Sequence, residues 1–124
     1  MGYALAKVAR DMGAIVTLVA AVDSSFLITS SNNITLLTTK SAEDMERVVN
    51  DVVQDADIFI AAAAVADYKP ITYSSQKIKK ETEYFNIELR RNPDIISSVK
   101  EKYPHIVCVG FAAETEKFEA YGIQ

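Results

Sequence analysis

Three lysines, Lys77, Lys79 and Lys80, crowd a short stretch that follows a run of alanines ending at Asp67. Ammonium groups on an irregular loop can neutralise a polyphosphate, and a carboxylate can accept hydrogen bonds from ligand hydroxyls. The small side chains of Ala63, Ala64 and Ala66 let a ligand approach the backbone, whose free amides suit phosphate, carboxylate or amide groups. Each piece also has a plain structural use: alanines pack under helices, an aspartate opens a turn, and a short lysine run makes a solvated surface. The chemical use gains weight because a proline-containing loop joins the two pieces, and such loops commonly form active-site lids.

Two further segments carry candidate groups. In GFAAET, Phe111 can stack on a planar base, and Glu114 can cap a helix or coordinate. In NPDI, Asn92 is expected to cap a helix with Pro93 at its first position, and the free amides there make a natural phosphate site. The one histidine, His105, follows a proline just before a strand, away from the expected ligand edge, and is assigned no role as base or metal ligand. Tyr73 and Lys77 stand in YSSQK, the spacing that pairs a tyrosine with a lysine in short-chain dehydrogenases. That pairing needs one helical turn, which Pro70 and the Ser74–Ser75 pair disfavour, and no glycine-rich dinucleotide turn is present. A GxxxxGK[ST] phosphate loop is absent as well, which excludes a P-loop NTPase.

The elements that must position these groups follow from periodicity. Leu5, Val8, Ala9 and Met12 fall on one helical face, closed by Gly13 as a C′ residue. AIVTLVAAV is a continuous β-branched run expected to be a strand covered on both faces, and ITLLTT, residues 34–39, is a second strand. DSSFLITSSNN connects them. Ser41 opens a helix with an acidic first turn and an inward stripe of Met45, Val48, Val49, Val52 and Val53. DIFIAAAA gives a third strand, FNIELRR a fourth with Phe85, Ile87 and Leu89 inward, and HIVCVGF a further buried strand. TEKFEAYGIQ reads as the start of a last helix. Alternating helices and strands imply an α/β fold: a Rossmann-like, mostly parallel sheet with helices on both faces and a flexible lysine loop. Such sheets bind ligands beyond the carboxyl ends of their strands, where AVDSS, AAVADY and GFAAET all fall.

The 124 residues imply one domain, 1–124, large enough to bury a core unaided. A net charge of −4 supplies no global field for nucleic acid, so only a local basic patch at residues 77–80 could attract polyanions. The single Cys108 precludes an internal disulfide and a multi-cysteine zinc site, and suits a reducing compartment. The N-terminus lacks the compact apolar region of a signal peptide and no apolar run reaches membrane-span length, so a cytoplasmic protein with no membrane partner is expected.

Taken in order, MGYALAKVARDMGAIVTLVA, DIFIAAAAVADYKP, KIKK, NPDI and VGFAAET resemble phosphopantothenoylcysteine synthetases, the phosphopantothenate–cysteine ligases of coenzyme A biosynthesis. In many bacteria these form the C-terminal half of a bifunctional flavoprotein. The resemblance implies a ligase that activates 4′-phosphopantothenate with CTP, or ATP, as an acyl nucleotidyl intermediate that the cysteine amine then attacks. It implies Lys77 as the catalytic and triphosphate-binding lysine, and Asp67 at the contact of nucleotide and pantothenate. It further implies backbone contacts to substrate at Ala63 and Ala64, a nucleotide site lined by Pro93, Asp94, Ile95 and Ile96, and Phe111 packed on the base. Magnesium is expected with the triphosphate. The resemblance also implies a homodimer, with an extended arm and the lysine loop near the subunit interface. The family pattern starts with a strand and an Asn-x-Ser-Ser-Gly-Lys turn just before the position of Met1, and has two basic residues just past that of Gln124. This chain carries neither, so its first strand and C-terminal elements are expected to be missing. A catalytically impaired nucleotide-binding domain is therefore the first alternative, and a dehydrogenase-like NAD(P) oxidoreductase the second.

Overall fold

The structure is a computed structural model that describes residues 1–21, 33–79 and 83–111. The expected connection DSSFLITSSNN, most of AVDSS, Lys80, Glu114 and the expected last helix lie wholly or largely outside the described residues.

Helix α1, Gly2–Asp11, leads into strand β1, Val16–Ala21. Gly13 closes the helix as expected, at φ 99°, with its N–H donating to the Arg10 carbonyl at 2.8 Å and the Ala14 N–H to the Ala9 carbonyl at 3.0 Å. This is a Schellman pair, and it needs a residue that tolerates positive φ. The inward face differs from the expected one. Val8 and Met12 are exposed, whereas Ala6 is buried and Gly2 and Ala9 are partly buried. Small residues let the helix lie close to the sheet, as at Gly2, where an added Cβ would sit 3.9 Å from that of Ala62.

Strand β2, Ile34–Thr39, pairs in parallel with β1, Val16 opposite Ile34 and Ala21 opposite Thr39. Helix α2, Ala42–Val52, starts at Ser41, whose Oγ accepts the Asp44 N–H at 3.1 Å. The Asp44 carboxylate accepts the Lys40 N–H in return at 3.0 Å, so the Ser41 cap satisfies a first-turn amide and Asp44 ties the preceding residue to the helix start. A 3-10 turn, Val53–Asp55, ends the helix and delivers the chain to strand β3, Ile58–Ala61.

Strands β4, Tyr68–Pro70, and β5, Leu89–Arg91, form an antiparallel ribbon of their own. Helix α3, Ile95–Lys102, then returns the chain to strand β6, Val107–Gly110, parallel to β3 with Ala61 opposite Gly110. The core gathers Val49 and Val53 with Ile95, Val99 and Ile106, and Val99 is 0% exposed. Val19, Phe59 and Cys108 pack on the same cluster, so β1, β3 and β6 share one covered face. Ala20 is buried outside that cluster, and adjacent strand residues point to opposite faces, so β1 is covered on both. Helices therefore lie on both faces of a parallel α/β arrangement at β1.

Two expectations for strands fail. HIVCVGF, expected to be a buried strand, is not covered on both faces among the described residues, and neither is its partner β3. Ile58 and Val107 are registered partners and stand 58% and 59% exposed, with Ile60 and Val109 exposed beside them. A continuous apolar run reports that a strand is apolar on two faces, not that both are covered by residues of the same segment. FNIELRR is not an inward fourth strand either. Only Leu89–Arg91 is a strand, and Phe85, Ile87 and Leu89 are all exposed, because the ribbon pairs with itself and not with the parallel strands.

Candidate functional site

The carboxyl end of β3 runs into residues 62–67, and it is there that the chain's separate pieces meet. Ala63, Ala64, Ala66 and Asp67 are exposed, while Val65 tucks back against the core. Small exposed residues over an anchored Val65 leave the backbone of this segment open to a ligand, as the sequence suggests.

Asn92 joins this segment to the start of α3. Its backbone N–H donates to the Asp67 carbonyl at 2.7 Å, and its Nδ2 donates to the Ala66 carbonyl at 2.7 Å. Asn92 is thus not the helix cap that the sequence suggests. Asp94 takes that place: one carboxylate oxygen accepts the Ser97 N–H at 3.1 Å and the other accepts the Ser97 hydroxyl at 2.8 Å. Pro93 consequently precedes the cap and is not the first helical residue. Two asparagine-or-aspartate residues flank the proline, and the pairing of distant strands, invisible in sequence, decides which one caps.

Of the remaining expected residues, Ile95 buries its side chain in the core, so only its backbone can face a ligand. Ile96 approaches the end of β6, where a Cβ added to Gly110 would lie 3.0 Å from the Ile96 Cδ1. That contact requires a glycine or a shift of Ile96, and it places exposed Phe111 next to the α3 start. Ala63, Ala64, Asp67, Pro93, Asp94, Ile96 and Phe111 therefore gather at the carboxyl ends of β3 and β6, the position where open α/β sheets bind ligands.

Lys77 stands apart. Residues 71–79 are irregular and exposed, and Lys77 makes no hydrogen bond or ion pair among the described residues. Ser74 shapes the bend: its hydroxyl donates to the Gln76 carbonyl at 2.6 Å and accepts the Gln76 N–H at 3.3 Å. Gln76, Lys77, Ile78 and Lys79 line a shallow concavity. Tyr73 and Lys77 share no helical turn, which removes the geometry that a dehydrogenase pair needs.

One charged group at the root of this loop escaped the sequence reading. Lys69 and Arg90 stand directly opposite in the ribbon, an unfavourable placement for like charges. Glu43, in the first turn of α2, resolves it by pairing with Lys69 and, at 3.6 Å, with Arg90. Burial, and then the neighbouring Arg90 guanidinium, hold the Lys69 pKa below the ordinary lysine value. No signal in the linear sequence links Glu43 to the ribbon, because the ion pair exists only once β4 and β5 have paired.

Among the described residues no group of three or more His, Cys, Asp or Glu side chains could hold a metal ion, and no helix is long and apolar enough to cross a membrane.

Comparison with known proteins gives consistent results. The family model described as "DNA/pantothenate metabolism flavoprotein C-terminal domain" matches residues 1–124. The chain is similar to the coenzyme A biosynthesis bifunctional protein CoaBC of Vibrio vulnificus, 43% identical over 126 residues, covering 98% of this chain and 30% of that protein. It is similar to the same protein of Escherichia coli K12, 40% identical over 130 residues, covering 100% of this chain and 31% of the relative. It thus spans about three tenths of these relatives' length. Among solved structures, the C-terminal domain of a CoaBC protein superposes with a TM-score of 0.72 at 35% identity, covering 97% of this chain and 54% of that one. The Streptococcus pneumoniae DNA/pantothenate metabolism flavoprotein, at 23% identity, covers 93% of this chain and 58% of its own with a TM-score of 0.72, and supports the fold.

Proposed function

The chain belongs to the family of the DNA/pantothenate metabolism flavoprotein C-terminal domain, and from that premise we propose that it is the core of a phosphopantothenate–cysteine ligase in coenzyme A biosynthesis. The observation that carries the reading is the joining of three segments at one strand edge: Asn92 bonds the Ala66–Asp67 turn, and Ile96 meets Gly110. These are the segments whose resemblance suggests nucleotide and substrate contacts.

In the proposed reaction a carboxylate oxygen of 4′-phosphopantothenate attacks the α-phosphorus of CTP. An O–P bond forms, the α–β phosphoanhydride bond breaks, and pyrophosphate leaves. The cysteine amine then attacks the acyl carbon, the amine proton passes to solvent, and CMP departs from the new amide. Asp67 accepts hydroxyl hydrogen bonds from the bound molecules, the exposed backbone at Ala63 and Ala64 contacts substrate, and Phe111 packs on the base. Pro93, Asp94, Ile95 and Ile96 border the nucleotide, Ile95 through its backbone alone and Asp94 while capping α3. Lys77 closes over the triphosphate and neutralises the charge that accumulates on the leaving phosphates, the place where electrostatic stabilisation contributes most. Magnesium accompanying the triphosphate would supply further positive charge opposite the leaving phosphates.

Pairing with a second copy belongs to the same proposal. The exposed Tyr68, Phe85, Ile87 and Leu89 of the ribbon region offer an apolar surface for it. The test uses the full-length protein that carries this chain. With CTP and cysteine it should release pyrophosphate only when 4′-phosphopantothenate is added, with ATP as a parallel arm. Absence of acid-dependent release with either nucleotide would overturn the reading, and CTP binding without release would leave a nucleotide-binding domain in its place.

A further inference from the structure

We propose that Asn92 is a positioning residue for ligand binding: by donating to two consecutive carbonyls, it fixes the Ala66–Asp67 backbone against the start of α3. The argument begins with the ribbon register. Tyr68 is opposite Arg91, so the ladder's next rungs run toward Asp67 opposite Asn92 and then Ala66 opposite Pro93. The first of these is made by the backbone, the Asn92 N–H donating to the Asp67 carbonyl at 2.7 Å. The second is a non-hydrogen-bonded rung, because opposed pairs alternate along an antiparallel ladder and Asn92 with Asp67 forms a bonded one, so no backbone bond across the ribbon falls to the Ala66 carbonyl. The Asn92 side chain adds a bond there, its Nδ2 donating to the Ala66 carbonyl at 2.7 Å.

The orientation of this amide follows from its partner. A carbonyl accepts, so the group facing it must be the NH2, and the Oδ1 turns the other way. That Oδ1 is buried and has no hydrogen-bond partner among the described residues, so the site tolerates an uncompensated oxygen to keep the donor where it is. Consecutive carbonyls held by one residue define the direction of the Asp67 peptide better than a single bond does. The same residue leads directly into Pro93 and Asp94, so any slip of the β3 exit would separate Asp67 from the α3 start.

This inference rests on the proposed nucleotide site, and its test separates the two. CTP affinity is measured by calorimetry on the full-length protein, wild type and Asn92→Ala, alongside thermal unfolding without ligand. Loss of the clamp should raise the Kd for CTP roughly tenfold or more at a temperature where both proteins are folded. Asn92→Gln, which keeps the amide on a longer stem, should recover part of the affinity. An unchanged Kd with a lowered Tm would mean that Asn92 only stabilises the fold, and would overturn the proposal. Equal losses in the alanine and glutamine variants would overturn it too. If Asn92→Ala does not fold, Asn92→Ser, whose hydroxyl is too short for the span to Ala66, takes its place with the same criteria. If the wild type itself binds no CTP, the proposed function fails, and the positioning role falls with it.

Discussion

The α2–α3 core and the β4–β5 ribbon with its loop are built on opposite plans. Val49, Val53, Ile95, Val99 and Ile106 bury one another, and every strand of the two parallel pairs except β2 sends a residue to that cluster. Residues 71–79, by contrast, are exposed throughout, and their internal bonds are confined to a bend at Ser74. The core, together with the Asn92 bonds to Ala66 and Asp67, fixes where the backbone edge lies; the ribbon also tethers the loop that carries Lys77. On the proposed function, binding geometry and charge delivery reside in regions that differ sharply in burial. A segment that must close over a ligand and release it is drawn from the low-stability end of a fold.

The sharpest way to break this comparison is a pair of substitutions with opposite signatures. Lys77→Gln should lower pyrophosphate release by roughly 10²- to 10³-fold while leaving Tm unchanged within about 2 °C. Val99→Ala should do the reverse, costing about 2 kcal/mol of stability through a core cavity while turnover at 25 °C holds as long as the protein is folded. Denaturant unfolding and the release assay on the same preparations read both effects. A stability loss in the lysine variant would tie the loop to the core.

A smaller effect is expected at the hinge between the regions. Glu43→Gln removes the carboxylate shared by Lys69 and Arg90 and leaves two like charges facing each other. Hydrogen exchange at Ile71, whose N–H donates to the Glu88 carbonyl, should quicken roughly two- to fivefold, with exchange at Val99 unaltered. Equal acceleration at both sites would show that the ribbon and core open together.

Much of the scaffold is legible in the sequence, because local signals dictate it. The span of β2, Ile34–Thr39, follows from its apolar β-branched run, and the helix ends at Gly13 and Ser41 follow from capping chemistry. The position of the candidate site is partly legible for the same reason: small residues and Asp67 after β3, and Phe111 after β6, sit at strand ends that the α/β topology brings together. What stays hidden depends on pairing between distant segments. The clamp by Asn92 and the ion pairs of Glu43 require β4 to meet β5, and no periodicity predicts a three-residue ribbon. The exposed faces of Val8, Ile58 and Val107 were hidden for a related reason. An apolar pattern states which residues favour burial, while only the fold states what is there to cover them.

The central claim is that this edge, with the lysine loop over it, activates a carboxylate by nucleotidyl transfer. The most direct measurement omits cysteine and follows labelled pyrophosphate into CTP in the full-length protein, with and without 4′-phosphopantothenate. Reversible formation of an acyl-cytidylate predicts label in CTP only when the acid is present. Exchange that is indifferent to the acid, or none at all in a protein that binds both molecules, would contradict the account.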